Sequence, residues 1–266
     1  MEKRKQEQRE FYDKVGKSSR KGKSKHKYLT ARKKFYSVVR SSRTFINEWL
    51  LQRCPSKRVL DYCCGDGGLS IFLAKNGAEV TGIDISSEFI KNAKERAAQE
   101  GVEHNASFLV MDAENLDFED NYFDIVVCSG ALHHLDIRRA YIELARILKT
   151  SGEIICDEPL AYNPIIRLYR KMTPHLRTKW EIEHILTRSS IELAKKYFGN
   201  VETRFFHLAT LTAVPFRNLI GFSSILSFLE AVDAVLLKLP VLKWGSWQIV
   251  FTMSQPNKSL SRPTVN

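Results

Sequence analysis

The sequence predicts an α/β fold on a mostly parallel sheet, and three observations carry that prediction. Residues 58–62 form an apolar run, Arg58 to Tyr62, that reads as a short buried strand and leads into Cys63-Cys64-Gly65-Asp66-Gly67-Gly68. The glycines let the chain turn tightly before a helix starts at Leu69. A second apolar strand, Glu79 to Ile83, ends in Asp84, and further strand-like runs alternate with helical patterns as far as Cys156. That alternation is the order expected of side-by-side strands with helices packed over them.

A strand, turn and helix start of this kind brings backbone N–H groups and a helix N-terminus against whatever lies above the sheet. Asp84 stands nineteen positions after Gly65, where an acid accepts hydrogen bonds from a ribose. The turn then separates two ribose-bearing ligands, a nicotinamide dinucleotide and S-adenosylmethionine (SAM). A dinucleotide turn needs G-x-G-x-x-G, but the register here is Gly65-Asp66-Gly67-Gly68-Leu69-Ser70, without the third glycine. Asp66 would also oppose a pyrophosphate. An acid is compatible with the ammonium of a methionine-derived ligand, and Asp61 at the strand end is placed to bind that ammonium directly or through water. These details favour SAM.

Val59 to Gly68, Val80 to Ile85, Met111 to Ala113 and Phe123 to Leu135 together resemble the ordered motifs of class I SAM-dependent methyltransferases, over residues 55–160. The resemblance implies a Rossmann-like fold: a mostly parallel seven-stranded sheet with an antiparallel edge and a helical lid insertion. It places Gly65 and Gly67 in the SAM turn, Asp84 with the adjoining Ile85 at the ribose, Asp112 and Ala113 near the adenine, and Ser129 just after the fourth strand. Phe11-Tyr12-Asp13 resembles the aromatic pair that opens many small-molecule methyltransferases and folds over SAM, which brings Tyr12 to the cofactor. One position departs from the pattern. The family's first motif glycine is Cys63 here, so the backbone is expected to approach SAM without a positive φ, with the Cys63 side chain lining the pocket.

Downstream, Ser86 or Ser87 caps a helix running to Gln99, with Ile90, Ala93 and Ala97 inward and Gly101 as a stop. Ala106 to Met111, Phe123 to Cys128 and Gly152 to Cys156 read as the third, fourth and fifth strands, with Ile142, Ala145 and Leu148 on the intervening helix. Val201 to His207 and Trp247 to Met253 alternate as the last two strands. Upstream, Thr30 to Leu51 follows a helical pattern. Residues 160–190 match no family motif; Asn163-Pro164 opens a helix to Arg170, Pro174 to Glu183 reads as a charged connection, and such an insertion is expected to build the substrate lid. Leu219 to Leu239 is more apolar, but Glu230 and Asp233 argue against a membrane-spanning helix. An interfacial amphipathic helix, or a lid, core or dimer helix, are the two readings of that stretch.

The formal charge of +11 is unevenly spread: residues 1–34 hold fourteen Lys or Arg against four acids, leaving the rest with 41 − 14 = 27 basic and 30 − 4 = 26 acidic residues. Residues 1–28 therefore read as a basic mobile arm, 29–159 as the SAM-binding core, 160–254 as the lid insertion and C-terminal strands, and 255–266 as a tail. The arm suits an anionic membrane surface or nucleic acid, or a solvated tail. The five cysteines lack metal or C-x-x-C spacing and read as small core side chains in a reducing compartment, the cytoplasm, with peripheral membrane contact as an extension of that reading. No secretory signal is expected, because the first forty residues lack an apolar stretch, and the scattered His175, His184 and His207 point to no metal centre.

Methyl transfer is an in-line displacement that asks the protein to position a nucleophile and exclude water. An oxygen or carbon acceptor benefits from a base, and the candidates are His133 and His134 after the fourth strand and Asp157 and Glu158 after the fifth. The histidine pair reads equally as one imidazole holding the loop while the other faces ligand. The expected activity is SAM-dependent O- or C-methylation of a small molecule such as a quinone, lipid, sugar or natural product. Its rivals are RNA or protein methylation guided by the arm, a non-catalytic SAM-binding scaffold, and a nicotinamide enzyme. Ser129-Gly130-Ala131-Leu132 stands where amino-methylating nucleic-acid enzymes carry N-P-P-Y, which lowers the first rival.

Overall fold

The computed structural model describes residues 2–20 and 34–260. Helix α1 (Lys3–Arg20) precedes a 3-10 turn at Phe35–Val38 and α2 (Arg40–Arg53). The body then alternates β1 (Arg58–Tyr62), α3 (Gly68–Lys75), β2 (Glu79–Asp84), α4 (Ser87–Gln99), β3 (Ala106–Val110), β4 (Phe123–Ser129), α5 (Ile137–Ile147) and β5 (Leu148–Pro159). An insertion follows, with α6 (Pro164–Met172), α7 (Lys179–Glu183) and α8 (Arg188–Tyr197) leading to β6 (Phe198–Phe206). A 3-10 turn (Thr210–Phe216), α9 (Phe222–Leu236) and β7 (Gln248–Pro256) complete the fold.

The seven strands lie in the order β3-β2-β1-β4-β5-β7-β6. The first five are parallel, and β7 runs antiparallel to both β5 and β6. Every residue of β1 after Arg58 is buried, as a parallel strand covered on both faces requires. One face carries Leu50 of α2, Ile71 of α3 and Ala93 of α4 against Val59 and Val127; the other carries Tyr141 and Leu144 of α5 and Ala194 of α8 against Leu60, Val126 and Phe251. A third, smaller apolar cluster joins Phe35, Ile166, Leu211 and Leu226 above the sheet.

Local signals explain most helix ends. The Ser86 hydroxyl accepts from Phe89 N and caps α4, Asp136 accepts from Arg138 N and Arg139 N at α5, and Asn163 accepts from Ile166 N with Pro164 in the first turn of α6. Leu148, expected on the helix, is instead its C-cap and the first residue of β5. Residues 30–33 of the helix expected from Thr30 lie outside the described residues, and α2 itself starts at Arg40 after the 3-10 turn. The charged connection over 174–183 contains a 3-10 turn and the short α7, whose Glu181 is fully buried.

The expectation of a mobile arm over 1–28 is corrected for residues 3–20, which form α1. Val15 is the one large apolar side chain this helix buries completely. Its hold on the body is polar: Arg4 and Lys5 pair with Glu114, Lys5 also reaches Asp112, and Asp13 accepts from the Ser86 hydroxyl at 2.6 Å. Residues 21–28 of the expected arm lie outside the described residues.

Gly67 caps α3 at φ +76°, and a Cβ there would stand 2.8 Å from the Ala93 Cβ and 3.0 Å from Phe108. Gly67→Ala is therefore expected to lower the unfolding free energy by about 1–2 kcal/mol, the cost of a left-handed non-glycine residue. A urea unfolding midpoint unchanged from wild type would contradict this.

Candidate functional site

Strand β1 lies between β2 and β4, so the chain leaves the sheet in opposite directions on its two sides and a crevice opens over the C-terminal strand ends. A cavity of about 340 Å³ occupies this crevice. Of the residues expected at the cofactor, Tyr12, Cys63, Gly65, Asp84, Ile85, Asp112, Ala113 and Ser129 line it. Asp61 and Gly67 do not. Asp61 is 3% exposed beneath the turn, accepts from Ser70 Oγ at 2.6 Å, and borders an adjoining hollow that shares Cys63, Gly65, Ser129 and Asp157 with the main cavity. Gly67 faces Ala93 and Phe108, so its part is to seat helix on strand.

The turn corrects the expectation for Cys63, whose φ is +64°, in the left-handed region. Gly65 and Gly67 are also left-handed, at +53° and +76°. The sharp exit from β1 imposes this: Cys64 N donates to Ile83 O at 2.8 Å and Gly67 N to Cys64 O at 3.0 Å, and the chain must curl between those bonds. A Cβ on Gly65 would meet nothing within 4 Å, so the turn presents open space and bare backbone to the cavity.

Asp84 ends β2 with one oxygen accepting from Gly65 N at 3.0 Å and the other from Ser86 N at 2.8 Å. Burial raises its carboxyl to about 6, against the pull of those backbone bonds. Asp61 is likewise raised to about 6 by burial, opposed by Ser70. Asp112 accepts from Lys5 Nζ at 2.7 Å and from Glu114 N at 2.9 Å. Burial alone would pull the Lys5 ammonium down; its bonds to Asp112 and Glu114 outweigh that and hold it above the usual lysine range. Asp66 is balanced by Arg96 at 3.0 Å.

The four base candidates separate into distinct places. His133, His134 and Asp157 line the cavity, whereas Glu158 is buried behind them. Glu158 accepts from Ala131 N and Leu132 N, both at 2.7 Å, and its other oxygen lies 2.7 Å from His133 Nδ1. Glu158 thus holds the histidine loop from behind and does not line the cavity. Its carboxyl is raised to about 8 by burial, the loop N–H bonds opposing the shift. Asp157 is raised to about 7 by burial and by Glu158 beside it, and its buried Oδ1 has no hydrogen-bond partner among the described residues. His134 stands 3.3 Å from the Tyr12 hydroxyl, and its carbonyl accepts from Gln8 at 2.6 Å.

Several residues at or behind the cavity wall carried no motif in the sequence. Glu181 of α7 lies 3.9 Å from both His133 Nε2 and His134 Nδ1, and Arg170 and Arg177 each stand 3.7 Å from its Oε1. His133, His134 and Glu181 bring one donor atom each within 4.8 Å of one another. The two guanidiniums already balance the carboxylate, so the cluster is an ion-pair and imidazole network against the cavity wall. Arg4 stacks over Trp180 at 4.4 Å, closing α1 against the insertion. Phe35, Tyr36, Ile166, Tyr169 and Trp247 form an apolar flank of the same cavity. No motif could have located these residues, because tertiary packing alone brings them to the crevice.

Residues 59–152, which hold the turn, the Asp84 strand and the histidine loop, match the family described as "Methyltransferase domain". The core of this chain is a class I methyltransferase domain. Two curated relatives are similar to it: an uncharacterised methyltransferase of Bacillus subtilis, 32% identical over 145 residues, covering 54% of this chain and 56% of the relative, and 2-phytyl-1,4-naphtoquinone methyltransferase of a Nostoc species, 30% identical over 148 residues, covering 53% and 61%. The chain thus spans somewhat over half the length of the curated relatives it matches. Among solved structures, geranyl diphosphate C-methyltransferase from Streptomyces coelicolor, in complex with Mg2+, geranyl diphosphate and S-adenosylhomocysteine, shares the fold of the methyltransferase domain with a TM-score of 0.56. That alignment has 15% identity and covers 80% of this chain and 79% of the other. No described helix is long and apolar enough to cross a membrane.

Proposed function

We propose that the protein is a SAM-dependent methyltransferase acting at oxygen or activated carbon of a small-molecule acceptor, within the quinone, lipid, sugar and natural-product classes. The observation that carries this is the convergence of the Cys63 to Gly65 turn, Asp84, Asp112, Ala113 and Ser129 on one cavity roofed by Tyr12. SAM would supply a methyl carbon activated by sulfonium charge. Asp84 would accept the ribose hydroxyls, Asp112 and Ala113 would border the adenine, and Asp61 with the adjoining hollow would take the amino acid end. Residues 29–159 serve as the cofactor core and 160–254 as the lid and closing strands. The basic residues before Lys34 favour an anionic surface, which makes the protein peripheral at a membrane.

Asp157 is the base this geometry favours. It lines the cavity, its Oδ1 has no hydrogen-bond partner among the described residues, and a carboxyl raised to about 7 can take a proton at neutral pH. As the carbon–sulfur bond of bound SAM breaks, leaving the neutral thioether, and the methyl group passes to the acceptor, Asp157 would take the acceptor proton, and Glu158 keeps His133 in place beside it. α1 and the insertion exclude water.

The test is calorimetry with SAM and S-adenosylhomocysteine, then a methyl-transfer screen on lipid, quinone, sugar and RNA extracts. Binding with label in one small-molecule extract supports the proposal; label only in RNA supports the arm-guided rival, and no SAM binding removes both. The pH dependence adds a check. With Asp84 at about 6, the charged carboxylate that accepts two hydroxyls exists above that pH and is lost below it. SAM affinity should be flat from about pH 7 to 8 and fall below about 6, by up to tenfold per unit for each of the two carboxyls, Asp84 and Asp61, that must be charged to hold the ligand. Equal affinity at pH 5 and 7.5 would sink the assignment.

A further inference from the structure

Helices α6 and α9 present apolar residues outward as well as inward. On α6, Ile166 and Tyr169 pack into the small cluster beside the cavity, while Leu168 and Met172, one turn apart, face solvent. On α9, Leu226 is buried and Phe222, Ile225 and Leu229 pack beneath it, while Phe228 and Val235, two turns apart, face solvent. Ile220 and Val241 extend this exposure beyond the two ends of α9. All six outward side chains are 60% or more exposed. Isolated exposed apolar residues are ordinary; four on two helices that share one underlying cluster, with two more just past the ends of α9, are an interaction surface.

Charge identifies what the surface meets. The segment 160–176 contains no acid, and 207–247 contains only Glu230 and Asp233. Both are turned to the protein. Glu230 pairs with Arg40, whose Nε lies 3.2 Å from its Oε1, and Asp233 is 6% exposed and accepts from Leu208 N, Ala209 N and Thr210 N and from the Thr210 hydroxyl. The acids that argue in sequence against a membrane helix are therefore absent from the outward face. Arg167, Lys171, Arg217 and Lys238 are exposed around it. A symmetric second copy would set this basic rim against itself, whereas anionic headgroups complement it and acyl chains take the apolar residues.

We infer that the outward face of α6 and α9 docks on an anionic lipid bilayer, which feeds an acceptor with an apolar tail into the cavity. The continuity is physical: Phe35, Ile166, Tyr169 and Trp247 line the cavity and belong to the cluster under α6 and α9. The docking surface stands by itself, and the acceptor class rests on the methyltransferase reading.

The experiment is sedimentation of the full chain with phosphatidylcholine vesicles, with and without phosphatidylglycerol, comparing wild type with Phe228→Glu/Val235→Glu and Leu168→Glu/Met172→Glu. The unfolding midpoint, SAM affinity and sedimentation coefficient are read on the same samples. Wild type should bind the anionic vesicles, and each double variant should bind at least tenfold more weakly with midpoint and SAM affinity unchanged. Wild-type binding retained by both variants, or no wild-type binding, would overturn the surface. So would a wild-type dimer that Phe228→Glu/Val235→Glu makes monomeric without affecting vesicle binding, since the face would then belong to a second copy. Vesicle binding as expected but no SAM binding by wild type would sink the methyltransferase reading alone.

Discussion

Glu158→Ala is expected to lower the unfolding free energy by about 2–4 kcal/mol, because it leaves buried hydrogen-bonding groups without a partner. Two backbone donors, Ala131 N and Leu132 N, reach one oxygen of this carboxyl at 2.7 Å, and the His133 ring nitrogen Nδ1 faces the other at 2.7 Å. Alanine would strand two backbone N–H groups and an imidazole nitrogen in a site where Glu158 is 1% exposed, each stranded group costing about 1–3 kcal/mol without full additivity. Urea unfolding checks it. A loss under about 1 kcal/mol would show that the loop from Ala131 to His134 holds its shape without Glu158. A variant that stays folded should also lose turnover far more than SAM affinity, because the loop it releases carries His133 and His134 to the acceptor side of the cavity.

The second large effect falls on the cofactor side. Asp84→Asn should weaken SAM binding by about ten- to a hundredfold, roughly 1.4–2.7 kcal/mol, since one charged acceptor of ribose hydroxyls becomes a half-donor amide. It should also make the decline of affinity below about pH 6 shallower by one proton, because the titrating group at β2 is gone while Asp61 still titrates. The same calorimetry reads both. Unchanged affinity, or an unchanged pH profile, would remove Asp84 from the ribose. Asp84 also accepts from Gly65 N and Ser86 N, so the unfolding midpoint must be recorded to separate a loosened turn from a lost contact.

The sheet was legible because its signals are local. Buried parallel strands read as apolar runs, and the caps at Ser86 and Asn163 use side chains three residues from their targets. The turn was legible in its glycines but not at Cys63, where the positive φ comes from long-range bonds such as Cys64 N to Ile83 O. Helix α1 was not legible as packed structure: it buries charged and amide groups, and a pattern of lysines gives no sign that Glu114 and Asp112 wait more than a hundred residues away. Glu181 was hidden for the same reason, a lone acid in a charged stretch that folding carries to His133 and His134. The strand-end wall of the cavity is thus written in contiguous motifs, and the flank under the insertion in distant residues that packing assembles.

Helix α1 has a consequence for how the crevice is opened. Its grip on the crevice is mainly Arg4 and Lys5 on Glu114 and Asp112. These side chains are largely buried, Glu114 fully so, and salt screens buried charge pairs far less than exposed ones. Ionic strength is thus a weak lever on this helix, and the loss of one buried charge a strong one.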